Sequence, residues 1–332
     1  MSKTTPQPLL DIRGLTVEAG EKQIVPLLHE LSISLERGQV FGLVGESGCG
    51  KTMTALSVMG LLPNRVCVTG GEIDFASHNL CALSAKEMRK VRGKHIAMIF
   101  QEPMTSLNPL LTIGEQMGEV LREHLGLRGA ENRERCADLL KSVSIPEPGK
   151  ACRCQPWQLS GGMRQRVMIA MALSCSPELI IADEPTTALD VTTQAQILDL
   201  FNDFKARLDS SFIFVTHDLG VIAEIADRTA VIYSGYVVEE CSAAALFDTP
   251  LHPYTYGLMR AREGRRAANK EALYTIPGVV PRVGQQEAGC PFVPRCNRAA
   301  DICRKEVPPL EDAGRISGSA TGHKVRCWRL SK

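Results

Sequence analysis

One short run limits this chain more than any other: Gly45-Glu46-Ser47-Gly48-Cys49-Gly50-Lys51-Thr52. It fits the pattern G-x-x-x-x-G-K-[ST]. Before it, Val40-Phe41-Gly42-Leu43-Val44 is a continuous apolar run, as expected for a buried strand of a parallel sheet. After it, Met53 to Leu62 reads as a helix stopped by Pro63. In that context the glycines let backbone N–H groups turn inward around phosphate oxygens. The helix beginning near Lys51 presents its positive dipole end to the same anion. Lys51 supplies a point charge to the β- and γ-phosphates of ATP, and the Thr52 hydroxyl is a ligand for Mg²⁺. A glycine-rich turn that binds nothing has no need of Lys51-Thr52.

A second run fits the same chemistry. Leu179-Ile180-Ile181-Ala182 carries Asp183 and Glu184 to the C-terminal end of a buried strand, where ligands bind in open α/β sheets. Asp183 is suited to the Mg²⁺ shell, and Glu184 to orienting and polarising an attacking water. Ile96 to Phe100 and Phe212-Ile213-Phe214-Val215 read as further strands, with a helix from Thr192 to Leu208 before the latter. Alternating strand and helix argues for an α/β core with a parallel sheet.

Around this core, Leu10-Asp11-Ile12, Leu15-Thr16-Val17 and Leu31 to Leu35 alternate as half-buried strands. From about Leu111 to Met171 the pattern turns helical and polar. Ala230 to Val238 reads as a hairpin turning at Ser234-Gly235. Beyond about Ala261 the chain becomes basic, then rich in Pro, Gly and Cys.

Charge and composition exclude some functions. Lys plus Arg is 38 and Asp plus Glu is 37, and aromatics are 5%. Neither a basic footprint nor a base-stacking platform is expected, so no nucleic-acid partner is. No run approaches the roughly 18 apolar residues that span a bilayer, and the first residues lack the apolar core of a secretory signal. A cytosolic chain, held at a membrane only through a partner, is expected. Its 12 cysteines should then be reduced thiols or metal ligands.

Between the two halves of the nucleotide site lies Leu159-Ser160-Gly161-Gly162-Met163-Arg164-Gln165-Arg166. Ser160-Gly161-Gly162 opens a helix whose first N–H groups form an anion site with no phosphate near it in sequence. This run resembles the signature motif of the ATP-binding-cassette (ABC) family. Gln101 at a strand end is similar to that family's Q-loop glutamine, Thr187-Ala188-Leu189-Asp190 to its D-loop, and His217 to its switch histidine. The similarity covers roughly Leu9 to Glu240.

The resemblance implies an α/β P-loop NTPase (ABC-type ATPase) with an antiparallel β subdomain and a helical signature subdomain at about 104–171. It implies catalytic roles for Glu184 and His217, and Mg²⁺ binding by Thr52, Gln101 and Asp183. Ser160, Gly161, Gly162 and Gln165 would then act in trans on ATP held by a second cassette. Family members usually carry Ser or Ala where Cys49 stands, so tolerance there is expected, together with sensitivity to thiol reagents. The aromatic expected to stack on adenine is missing from Val17-Glu18-Ala19-Gly20.

A narrower resemblance rests on Phe100 to Pro109, Pro185 to Thr192, His252-Pro253-Tyr254-Thr255 and Ile276 to Pro281. These look like the oligopeptide, dipeptide and nickel importer branch. It implies a paralogous ATPase partner or a second copy, two permease subunits touched by the segment after Gln101, and a solute-binding protein acting indirectly. It implies a peripheral position on the cytoplasmic face of the plasma membrane. The nucleotide-binding domain would span 1–260 and a short Cys-rich C-terminal extension 261–332.

In that extension Cys290, Cys296, Cys303 and Cys327 could bind metal or remain free thiols; their spacing decides neither. Gly289-Cys290-Pro291-Phe292 and Arg295-Cys296 resemble the extension of peptide-importer ATPases. That implies a [4Fe–4S] cluster, with structural Zn²⁺ as the alternative. The C-x-C pair Cys152 and Cys154 reads as structural.

Overall fold

The apolar runs 10–12 and 15–17 are out of phase for a regular strand, yet the computed structural model joins them into one. A bulge after Ile12 restores the phase, so that Ile12, Leu15 and Val17 all face the core. The strands in chain order are β1 (Leu10–Ala19), β2 (Val25–Leu35), β3 (Val40–Val44), β4 (Val66–Phe75), β5 (His78–Asn79), β6 (Ile96–Ile99), β7 (Leu179–Asp183), β8 (Ser211–Thr216), β9 (Arg228–Tyr233), β10 (Tyr236–Ser242), β11 (Glu311–Asp312) and β12 (Lys324–Val325). The structure describes residues 7–21, 24–187, 189–266, 274–281, 284, 288–314 and 322–330. The chain divides into two compact units, Met1–Cys81 with Val215–Lys332, and Ala82–Phe214.

The first unit holds an antiparallel sheet in the order β2-β1-β4-β5. It also holds strands in the order β11-β12-β10-β9-β3, with β3 parallel to β9 and every residue of β3 buried. The β9–β10 hairpin turns at Ser234 and Gly235, as its sequence suggests. Both residues have positive φ (49° and 81°), the twist that a tight hairpin prefers. The helix after the phosphate-loop sequence runs Lys51–Met59, shorter than the Met53 to Leu62 expected. Gly60, at φ 59°, caps it before Pro63 is reached. The end of the tail joins this unit through β12, which pairs with β10 at Glu239↔Val325 and Glu240↔Lys324.

In the second unit β6 and β7 pair in parallel, and β8, which crosses the boundary between the units, lies beside β7. The polar stretch predicted as helical forms helices Ile113–Leu125, Gly129–Ser142 and Gly161–Leu173. Thr112 and Glu115 close the first with reciprocal capping bonds. The helix Val191–Arg207 packs Phe201 edge-on against Phe212 and Phe214 of β8, ring centroids 6.2 and 4.7 Å apart. Among the described residues, no helix is long and apolar enough to cross a membrane.

Candidate nucleotide site

The apolar strand β3 delivers the loop 45–50 to the start of helix Lys51–Met59, with Gly50 as its N-cap. Lys51 is buried, and its Nζ donates to the carbonyls of Gly45 (2.8 Å) and Glu46 (3.0 Å). The ammonium therefore sits across the start of the loop, bonded to two of its carbonyls. Thr52 follows in the first helical turn. The loop is anchored from outside as well. Gly235 N–H donates to the Cys49 carbonyl at 2.9 Å, and Glu46 N–H donates to the Tyr254 hydroxyl at 2.9 Å.

Cys49 departs from expectation. It is 1% exposed, and burial pushes its thiol up from the ordinary range, so it is neither open to thiol reagents nor poised as a thiolate. Its side chain packs inward where only its backbone faces the loop. His217 follows the end of β8 and is exposed.

In the second unit β7 ends at Asp183, buried, and Glu184 follows at φ 46°, an uncommon conformation for a non-glycine residue. The Glu184 carboxylate accepts from Gln101 Nε2 at 3.0 Å and from Thr187 Oγ1 at 2.8 Å. Gln101 and Glu184, 83 residues apart, thus meet at one oxygen. Of the D-loop run, Ala188 lies outside the described residues. Asp190 caps helix Val191–Arg207, accepting from Thr193 N–H (2.9 Å) and Thr193 Oγ1 (2.7 Å). Those bonds, the hydroxyl's first, hold its carboxyl below the usual range.

The signature run forms what its sequence suggests. Ser160 caps helix Gly161–Leu173, its hydroxyl accepting from Met163 N–H at 3.3 Å. Ser160 and Gly161 are exposed, and Gln165 is buried. A Cβ on Gly161 would meet open space, whereas one on Gly162 would stand 2.9 Å from Thr193 Cγ2. Gly162 therefore lets the signature helix sit close to the residue that holds Asp190. Nothing in the residue pattern links the two runs; Thr193 does so in three dimensions.

The four tail cysteines come together. Cys290, Cys296, Cys303 and Cys327 line one cavity with Phe292 and His252. Burial, then the neighbouring thiols, raises Cys290 to about 11. Phe292 packs against Tyr233 and Tyr254, centroids 5.1 and 5.5 Å away. Buried His323 contacts Glu239 at 2.7 Å, and Glu239 also accepts from the N–H groups of Leu251 and His252. These bonds fasten the tail to β10.

A loop built for phosphate, a strand ending in paired carboxylates and a capped glycine-rich helix define a nucleotide-binding cassette. Residues 28–187 match the model of the ABC transporter family, and 238–303 that of the oligopeptide/dipeptide transporter C-terminal region. A probable peptide ABC transporter ATP-binding protein of Sinorhizobium fredii is 47% identical over 98% of this chain and 96% of its own. The dipeptide transport ATP-binding protein DppD of Bacillus subtilis is 47% identical over 92% and 89%, and DppD of Escherichia coli 44% over 92% and 98%. A dimeric ATP-binding cassette solved in a post-hydrolysis state with ADP and Pi matches at TM-score 0.63 and 29% identity, covering 70% of this chain and 98% of that one. The chain belongs to the ABC transporter family, as one of its ATP-binding proteins.

Proposed function

We propose that this chain is the ATP-binding and ATP-hydrolysing subunit of an importer for dipeptides or oligopeptides, or for a related small solute such as a nickel complex. The observation that carries hydrolysis is Glu184, buried and held by Gln101 and Thr187. The two bonds fix the orientation of the carboxylate whose charge would polarise a water, and Gln101 would relate bound Mg²⁺ to the same residue. Lys51 and the loop 45–52 bind the phosphates; Thr52, Gln101 and Asp183 serve Mg²⁺; His217 contacts the γ-phosphate. Exposed Ser160 and Gly161, with Gly162 and Gln165, act on ATP held by a second cassette, a paralogue or another copy, and Asp190 lies at that junction. The peptide cargo is carried over from the relatives, a probable peptide ABC transporter ATP-binding protein and the dipeptide transport ATP-binding protein DppD. We take 1–260 as the cassette and 261–332 as its extension.

Permease docking fits the exposed apolar side chains Met104, Leu110 and Trp157, which lie after Gln101 and before the signature. Gln155 Nε2 bonds the Leu110 carbonyl, and Arg164 bonds the Pro156 carbonyl and contacts the Met104 sulfur. A patch of this kind suits burial against a partner. Through it the chain would sit peripherally on the cytoplasmic face of the membrane. The test is ATP turnover by the chain alone and with two permease subunits and peptide-loaded binding protein. Turnover should be low alone and rise severalfold in the assembly; no turnover in either setting overturns the reading.

The extension's donors fit a [4Fe–4S] cluster. Four thiols line one cavity, which is the donor set such a cluster takes. Among the described residues, the group whose ligand atoms all lie within 4.8 Å of one another is Glu239, Cys241 and His323, not any three of the tail thiols. A single tetrahedral Zn²⁺ with bonds of about 2.3 Å draws its sulfurs that close; a larger cluster does not. When bound, it would cross-link the tail. Protein purified without oxygen should be brown and contain iron, and Cys296→Ser should lose both. Colourless, iron-free protein rejects the cluster, and stoichiometric zinc selects the alternative.

A further inference from the structure

We infer that Arg295, carried by the cysteine tail, positions the phosphate-binding loop through Glu46 and so sets the affinity of the site for nucleotide. The inference rests on the nucleotide-binding reading above and adds a positioning residue from outside the cassette's own motifs.

Arg295 reaches Glu46 across 249 residues of sequence, with Nη1 at 2.6 Å from Oε2 and Nη2 at 3.1 Å from Oε1. This is the paired geometry that makes guanidinium–carboxylate contacts both strong and directional. The Arg295 side chain is 3% exposed and fixed before it meets Glu46. Its Nε donates to the Pro277 carbonyl at 2.9 Å, and its guanidinium lies 5.8 and 6.0 Å from the ring centres of Tyr233 and Phe292. Burial is the largest influence and opposes its charge, but Glu46 and Tyr233 together outweigh it and raise the pKa. Arg295 is thus a rigid post, standing one residue before Cys296.

Glu46 is the first variable residue of the loop, and its backbone is held too. Its N–H donates to Tyr254, and its carbonyl accepts from Lys51. A loop fixed at the side chain, N–H and carbonyl of one residue has little ordering left to lose when phosphate arrives, which strengthens binding. Loosening that residue restores the cost.

Charge and position make opposite predictions for the two partners, and this separates them. Were Arg295 only a positive charge near the phosphates, removing Glu46 would tighten ATP binding by deleting a negative one. If the pair positions the loop, Glu46→Ala and Arg295→Met both weaken ATP binding, each by about tenfold for loss of one charge-assisted pair. The double variant should then be no weaker than the worse single one. The experiment is equilibrium ATP binding by the full chain, with thermal midpoints recorded without nucleotide. Glu46→Ala leaves every tail contact of Arg295 except this one, so it stays informative if Arg295→Met folds poorly. ATP affinity unchanged or raised in Glu46→Ala, or losses that simply multiply in the double variant, overturns the inference. Failure of the unsubstituted chain to bind ATP overturns instead the reading on which it rests.

Discussion

Glu184→Gln should leave ATP binding intact while turnover falls by about 10²–10⁴-fold, the range for removing a positioned general base. The substitution is close to isosteric, and its amide oxygen can still accept from Gln101 and Thr187, the two donors that now meet at Oε2. The buried constellation therefore has no reason to collapse. What disappears is the negative charge that the proposed function assigns to polarising water. The backbone supports a functional reason for the position. A non-glycine residue at φ 46° costs about 1–3 kcal/mol, and such strain persists where the surroundings over-determine it. Here β7, buried throughout, enters on one side, and the turn bonded from Thr187 N–H to the Glu184 carbonyl leaves on the other. Equilibrium ATP binding beside steady-state phosphate release checks the split. A variant that turns over normally removes Glu184 from catalysis, and one that no longer binds ATP makes it a binding residue.

Lys51→Met should weaken ATP binding by about 100-fold. Hydrogen bonds to charged groups contribute about 1.5–3 kcal/mol, and each 1.4 kcal/mol is roughly tenfold in affinity. Methionine keeps an unbranched stem in the space the buried lysine fills, so packing changes little while the ammonium is lost. That ammonium bonds the Gly45 and Glu46 carbonyls, so it is held at the loop where the proposed reading places the phosphates. The effect should be larger than that of Glu46→Ala, because in the proposed function Lys51 meets the ligand and Glu46 only orders the loop. Nucleotide titration of both variants under one salt condition checks the order. Equal affinity for ATP in Lys51→Met and the unsubstituted chain would contradict it.

Much of this was legible along the chain because the chemistry is local. The phosphate loop, the carboxylate strand and the signature are each contiguous, and each apolar run or helix cap announces its own element. Boundaries shifted where a local competitor acted first, as Gly60 does ahead of Pro63. The strand β1 reads as two runs because a bulge is invisible to a period-two pattern. Contacts between distant residues were not legible. Thr193 joins the signature helix to Asp190, and Glu239 holds His323, yet neither residue belongs to a recognisable pattern. Arg295 stands in a run whose cysteines draw the attention, although its own partner is in the phosphate loop. The expected reactivity of Cys49 failed for a related reason: a residue inside an exposed motif can still point its side chain into the core.

The most direct test of the account is ATP turnover in vesicles holding the two permease subunits, this chain and its partner cassette, with peptide-loaded binding protein added. Turnover should rise severalfold on adding the loaded binding protein and fall by about 10²–10⁴-fold in Glu184→Gln. Turnover that ignores the loaded binding protein, or survives Glu184→Gln unchanged, would contradict it.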